Sequence, residues 1–288
     1  MRFMQKAVFV ELCVAVLMST SVQAQQRPLV TEDPEPIGAG RVLLEAGLDY
    51  NRDVLFPVSG LTGNLMKLPL IGISFGVGSI AEIQIDGGLW NSLSITNRAQ
   101  APLSSLVTAT GDKTSSVEDI VIGAKVRIAG EGVARPSIGA RFATRLPNAS
   151  NESGIGLDTI DFFSSLLLGK TIQSVRVVGN IGLGILSDPT QGNRQNDVLT
   201  YGVSFARALT DATEIVGEIN GRVSTREGTP PPGTESRSVL RFGGRYTRGM
   251  LRVDAGLLLG LTSMSNISNG VGFTTGFTYV FNNSSQLP

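Results

Sequence analysis

In Val117-Glu118-Asp119-Ile120-Val121-Ile122-Gly123-Ala124-Lys125-Val126-Arg127-Ile128, apolar and polar or small residues alternate along the chain. Ile120, Ile122, Ala124, Val126 and Ile128 fall on one parity; Asp119, Val121, Gly123, Lys125 and Arg127 fall on the other. A period of two is the mark of a strand with two unlike faces. The next stretch repeats it, with Pro136, Ile138, Ala140 and Phe142 against Arg135, Ser137, Gly139, Arg141 and Arg145. Near the end, Leu251, Val253, Ala255, Leu257, Leu259 and Leu261 oppose Arg252, Asp254, Gly256 and Gly260. The last run sets Val271, Phe273, Thr275, Phe277, Tyr279 and Phe281 against Gly272, Thr274, Gly276 and Thr278.

Twelve such segments are read along the chain, at 40–50, 68–78, 80–92, 116–128, 134–146, 158–170, 172–186, 196–208, 211–225, 236–247, 250–262 and 270–282. Two of them, 68–78 and 158–170, are apolar on much of both faces, which leaves their register open. The connections alternate. Long ones are expected at Asn51–Lys67, Leu93–Ser115, Pro147–Leu157, Ser187–Gln195, Arg226–Glu235 and Ser263–Asn269, and short ones near Ser79, Gly130–Val133, Thr171, Thr210 and Arg248–Gly249. An even strand count with short turns on one rim and longer, Gly- and Pro-rich loops on the other is the pattern of an outer-membrane barrel. The expected fold class is therefore all-β, a transmembrane antiparallel up-and-down barrel of about 12 strands.

Energy decides which face meets lipid. An Arg or Lys facing lipid at the midplane costs about 2–4 kcal/mol, so the faces carrying Lys125, Arg127, Arg141, Arg241 and Arg252 are assigned to the interior. The opposite faces carry Tyr50, Phe142, Phe162, Tyr201, Phe205, Phe242, Tyr246, Phe273, Phe277, Tyr279 and Phe281, several toward strand ends where aromatic rings favour the lipid interface.

Composition agrees and removes other classes. The 288 residues carry 24 Lys+Arg, 24 Asp+Glu, one Cys and no His, with 17 % charged. Zero net charge argues against a nucleic-acid partner. Without His there is no Ser-His-Asp or Cys-His system and no H-E-x-x-H metal site. Residues 1–24 read as a secretory signal: Arg2 and Lys6, the apolar stretch Ala7–Met18, then Val22-Gln23-Ala24. Cleavage there leaves a mature chain without cysteine, hence without disulfides or thiolate sites. Gly72-Ile-Ser74-Phe-Gly76 matches G-x-S-x-G but lies inside a strand, where it makes no nucleophile elbow. Gly182-x-Gly184 is an incomplete dinucleotide pattern on an alternating strand. The expectation is no enzyme, no catalytic, cofactor-binding or metal residues, and no cofactor.

The candidate lumen-lining residues are Lys125, Arg127, Arg135, Arg141, Arg145, Arg237, Arg241, Arg245, Glu82, Asp86, Glu214 and Glu218. Two groupings stand out: the wall Lys125, Arg127, Arg135, Arg141 and Arg145 on strands four and five, and Glu214 and Glu218 beside Arg237, Arg241 and Arg245 on strands nine and ten. A basic wall attracts an anionic solute; the same charges can instead pair across strands and fill a narrow interior. Inward glycines such as Gly76, Gly139, Gly202 and Gly256 either leave room in the lumen or ease bending of the wall.

At Pro28–Glu45 the chain resembles the outer-membrane transporter family named for the meta-pathway of phenol degradation. The resemblance rests on Thr31, Glu32 and Asp33, then Gly38 and Gly40 leading into a first strand that bears Glu45. It implies a twelve-stranded barrel and uptake of aromatic or hydrophobic solutes. One departure is that Asn282–Pro288 follows Phe281, where many such barrels end on the aromatic itself. The domain plan is a signal at 1–24, a periplasmic N-terminal segment at 25–39, a barrel at 40–282 and a tail at 283–288. The expected function is a bacterial outer-membrane channel passing small aromatic or anionic solutes passively, with Gln25–Ile37 as a partial plug at the periplasmic mouth. The alternative is a closed structural or adhesive barrel working through its extracellular loops, Leu93–Ser115 foremost. Expected partners are the lipid bilayer, the outer-membrane assembly machinery and a small-molecule solute.

Overall fold

The computed structural model describes residues 27–261 and 270–282. The strands are β1 (Arg41–Phe56), β2 (Leu61–Gly76), β3 in two pieces (Ala81–Gly88 and Asn91–Arg98), β4 in two pieces (Lys113–Ser116 and Val121–Ala129), β5 (Ser137–Arg145), β6 (Asp161–Ile172), β7 (Val175–Ser187), β8 (Gln195–Ala208), β9 (Thr213–Ser224), β10 (Arg237–Arg248), β11 (Leu251–Gly260) and β12 (Val271–Asn282). The two pieces of β3 belong to one barrel strand, because β2 pairs with both. Likewise the pieces of β4 pair with the corresponding pieces of β3. Backbone bonds bridge the breaks, from Leu89 N to Pro69 O at 3.1 Å and from Glu118 N to Gly88 O at 2.9 Å. Neighbouring strands are antiparallel throughout, and β1 pairs with β12 from Arg41↔Asn282 to Asn51↔Gly272. The result is a closed twelve-stranded antiparallel barrel. Closure satisfies the backbone of every strand within the wall, the condition for a sheet to stand in lipid.

The alternation reads directly onto this wall. On β10, Leu240, Phe242 and Tyr246 face outward and are exposed, while Val239 and Arg245 are buried in the interior. On β11, Val253 and Leu257 face out; Arg252, Asp254 and Leu258 are buried within. Ile85, Ile122, Phe162, Ile181, Leu183, Val203, Phe273 and Phe277 continue an apolar belt around the outside. A contiguous apolar girdle of this size is matched by hydrocarbon rather than by water. The two doubtful registers are settled by pairing: β6 turns Phe162, Leu166 and Leu168 outward and Leu167 inward, and β2 is fixed by Glu45↔Gly72.

One rim carries short turns, at 77–80, 130–136, 173–174, 209–212 and 249–250; the other carries longer connections at 99–112, 146–160, 188–194, 225–236 and 261–270. Two expected loops are corrected. Asn51–Lys67 is not a loop: β1 runs on to Phe56 and β2 starts at Leu61, joined by a four-residue turn at 57–60. Leu93–Ser115 shrinks to 99–112, since Asn91–Arg98 and Lys113–Ser116 are strand. Above the apolar belt both strand faces can meet water, so the hydropathic period vanishes while the backbone ladder continues. Register shifts in β1 between Gly47 and Asp49 and between Asn51 and Val54, with Asp53 at φ 52, bend this extension. Its Val54, Leu61, Leu65 and Leu93 are buried together, with Phe56, Ile95, Val107 and Ile155 packed against them. The extension and the 146–160 loop thus form a roof on the long-loop side, locked where Ser59 Oγ donates to Gly154 O at 2.6 Å. The expected signal at 1–24, Gln25, the connection 263–269 and the tail 283–288 lie outside the described residues.

Candidate functional site

The segment 27–40 enters at the short-turn rim and lies inside the barrel as a strap. Leu29, Thr31, Glu32, Asp33 and Ile37 are all buried there. Its course is set by polar contacts. The Arg27 guanidinium donates to Thr274 Oγ1 at 2.9 Å and stands 3.7 Å from Asp254 and 3.8 Å from Asp49. Glu218 on β9 accepts from the amides of Val30 and Thr31 at 3.0 and 2.8 Å. On β7, Asn180 accepts from Glu32 N at 2.7 Å and donates to Glu32 O at 2.8 Å, as a strand neighbour would. Asp33 takes a two-pronged bond from Arg176 at 2.8 and 2.7 Å, the strong carboxylate–guanidinium geometry. Glu35 pairs with Arg127 at 2.5 Å, and Ile37 N donates to Glu82 at 2.8 Å.

The centre of this network is Lys125. It is wholly buried, 3.0 Å from Glu82 and 3.5 Å from Glu32. The other oxygen of Glu32 lies 3.1 Å from Arg141 Nε. Arg176, besides Asp33, holds Glu131 in the β4–β5 turn at 2.6 Å. Burial lifts the Glu131 carboxyl, but bonds from the Thr171 amide, Lys170 and the Thr171 hydroxyl outweigh it and leave it below the ordinary carboxylate range. The inward glycines mark where the strap passes. A methyl built on Gly139 would stand 3.0 Å from Pro34 Cβ, on Gly202 2.8 Å from Thr31 Oγ1, and on Gly276 2.6 Å from Arg27 Nε; on Gly76 and Gly47 it would run into Gly38 O and the Arg27 guanidinium. The room these glycines leave is filled by the strap.

Between strap and roof lies a cavity of about 760 Å³. Arg27, Leu29, Val30 and Glu32 floor it; Pro57, Val58, Ile155, Leu157 and Gly233 meet it from the roof and loops. Its walls are of two kinds. Val54, Phe56, Leu65, Phe163, Val239 and Leu258 are apolar; others are charged, with Arg145, Arg222, Arg237 and Arg241 bringing positive charge and the acids Glu45, Asp49, Asp86, Glu118 and Asp119 elsewhere on the lining.

The sequence-derived candidates are placed as follows. Lys125, Arg127 and Arg141 engage the strap's acids, so the basic wall of β4 and β5 meets an internal acidic segment instead of pairing only across strands. Asp86 stands 3.8 Å from Arg141. Arg145 pairs with Asp161 at 2.5 Å and Asp119 at 3.7 Å. Arg241 pairs with Glu218 at 2.7 Å, and Glu214 is shared by Arg245 at 3.9 Å and Arg252 at 3.6 Å. Arg245 also donates to Arg27 O at 2.7 Å. Arg237 faces the cavity with no hydrogen bond or ion pair among the described residues. Arg135 is a correction: it precedes β5, sits exposed in the 130–136 turn and donates to Gly130 O at 3.2 Å. Pro136 behind it ends the turn, so the inward alternation starts only at Ser137. Three strap anchors were missed as site residues, Gln84, Arg176 and Asn180, though each occupies an inward position of its strand.

No protein-family model and no curated protein matches the sequence. Among solved structures, an outer membrane channel from Pseudomonas putida F1 superposes with a TM-score of 0.59 at 13 % identity, covering 86 % of this chain and 98 % of that one. The fold is that of an outer-membrane β-barrel. The NanC porin aligns with a TM-score of 0.52 at 7 % identity over 82 % of this chain and 98 % of its own. The translocator domain of the autotransporter NalP from Neisseria meningitidis aligns at 0.50 and 12 % identity, over 96 % and 98 %. A channel, a porin and a translocator share this barrel, so the fold alone does not choose among their activities.

Proposed function

We propose that the protein is a bacterial outer-membrane channel through which small solutes pass passively, and that the strap governs the opening. The short-turn rim then faces the periplasm and the roof the exterior. The observation that carries this reading is how the lumen is filled. The interior is occupied by the segment 27–40, held mainly by ion pairs and amide-to-carboxylate bonds, with Leu29 and Ile37 as its buried apolar contacts. Water can replace such contacts as the segment leaves; it cannot replace apolar packing at comparable cost. Cleavage after Ala24 would leave the strap next to a free N-terminus, in keeping with export by the expected signal. The residues behind the resemblance to the phenol-degradation family, Thr31, Glu32 and Asp33, are buried strap residues, and an aromatic or anionic solute fits the mixed cavity walls.

A barrel lacking residues 27–37 should show discrete conductance steps in planar bilayers several-fold larger than those of the full chain. Silence from both proteins, each correctly folded, would instead favour the second reading. In that reading the buried Lys125–Glu32–Glu82 cluster is a permanent brace and the roof loops do the work.

A further inference from the structure

We propose that Arg222 and Arg237 form an anion site in the roofed cavity, and that it takes a small organic carboxylate with an apolar body. The proposal deepens the channel reading and rests on it for how the anion arrives. The two arginines are direct register partners across β9 and β10, both on inward positions and both lining the cavity. Like charges placed opposite each other on neighbouring strands repel. Elsewhere in the lumen that problem is solved locally: Arg141, Arg145, Arg176, Arg241, Arg245 and Arg252 each have a carboxylate within 4 Å. Arg222 has backbone carbonyls only, Gly233 O at 2.7 Å and Glu235 O at 2.9 Å. Arg237 has no bonded partner among the described residues. The adjacent acid, Glu235, makes no ion pair with either arginine; its Oε1 accepts from Gly233 N at 3.0 Å, and its Oε2 is buried without a hydrogen bond.

Two guanidinium groups with no carboxylate within 4 Å, beside a cavity of about 760 Å³, leave a place for an anion that the chain does not itself fill. Guanidinium forks bind a carboxylate through paired bonds. Phe56, Phe163, Val239 and Leu258 line the same cavity, so a ligand with its charge at Arg222 and Arg237 can lay an apolar body against them. The volume is within the range of small-molecule sites, about 300–1,000 Å³.

The test uses the full chain folded in a non-ionic detergent, with benzoate, benzamide and acetate as probes in a calorimetric titration. Benzoate should bind at least tenfold tighter than benzamide, which lacks the charge, and than acetate, which lacks the body. Arg237→Gln and Arg222→Gln should each weaken benzoate at least tenfold and leave benzamide unchanged, with Glu235→Gln near wild type. Equal binding of benzoate and benzamide by the unmodified protein overturns the site without needing any variant to fold. So does tight benzoate binding that survives Arg237→Gln, or a tenfold gain in Glu235→Gln, which would make Glu235 the resident counter-ion. Binding here needs no membrane, so the two readings fail separately. A silent barrel that discriminates benzoate sinks the channel, and a conducting barrel that does not discriminate sinks the site.

Discussion

Lys125 shows how much of this molecule turns on single charges. Its ammonium is out of water between Glu82 and Glu32, and Glu82 also takes the Ile37 amide and Gln84 Nε2. Removing one member of a buried ionic group is expensive because the others stay buried without compensation, at about 3–5 kcal/mol. Lys125→Met leaves two carboxylates facing each other, so the barrel should lose stability by about that amount in urea unfolding from lipid vesicles. The strap should loosen at the same time. The alternation puts Lys125 on the inward face, and in the structure it points there. What it meets was not legible, because its partner Glu32 is 93 positions away in a segment with no period of its own.

At the scale of elements, the strands within the apolar belt were legible and the roof was not. Ile120 to Ile128 announces itself because one face must be apolar and the other must not. Asn91–Arg98 carries no such rule, since it stands in water on part of its surface, and its ladders to β2 and to Lys113–Ser116 define it. The same reasoning explains Arg135, where polar residues continue past the strand end and mimic alternation. The roof holds together through the small cluster of Val54, Leu61, Leu65 and Leu93. Leu93→Ala removes its centre and should cost that unit about 2–5 kcal/mol. Hydrogen exchange should then quicken across residues 54–65 while β7 to β12 stay protected, because local units open independently of the wall. A uniform change across the whole barrel would show that roof and wall are one cooperative body.

For the molecule as a whole, the charges of the strands within the apolar belt are sorted radially. The inside takes Arg245, Arg252, Asp254, Glu218 and their partners; the outside takes Leu257, Phe242 and Phe273, which meet across β10, β11 and β12. The low charged fraction follows from having hydrocarbon as half the surroundings. Leu257→Arg places a guanidinium in the middle of the outward face of β11 and should shift folding into vesicles by about 2–4 kcal/mol against the barrel. Arg252, on the inward face of the same strand, is tolerated because Glu214 stands 3.6 Å from it. An unaffected folding equilibrium would place that face in water.

The trail of Gly76, Gly139, Gly202, Gly256 and Gly276 has a consequence for how such a protein changes over generations. These positions are spread over two hundred residues, yet each one abuts a particular residue of a short N-terminal stretch. The stretch and its track are therefore inherited as a pair. A bulkier strap residue needs a simultaneous change in a distant strand, and a strap exchanged between two barrels would find the track cut for another chain.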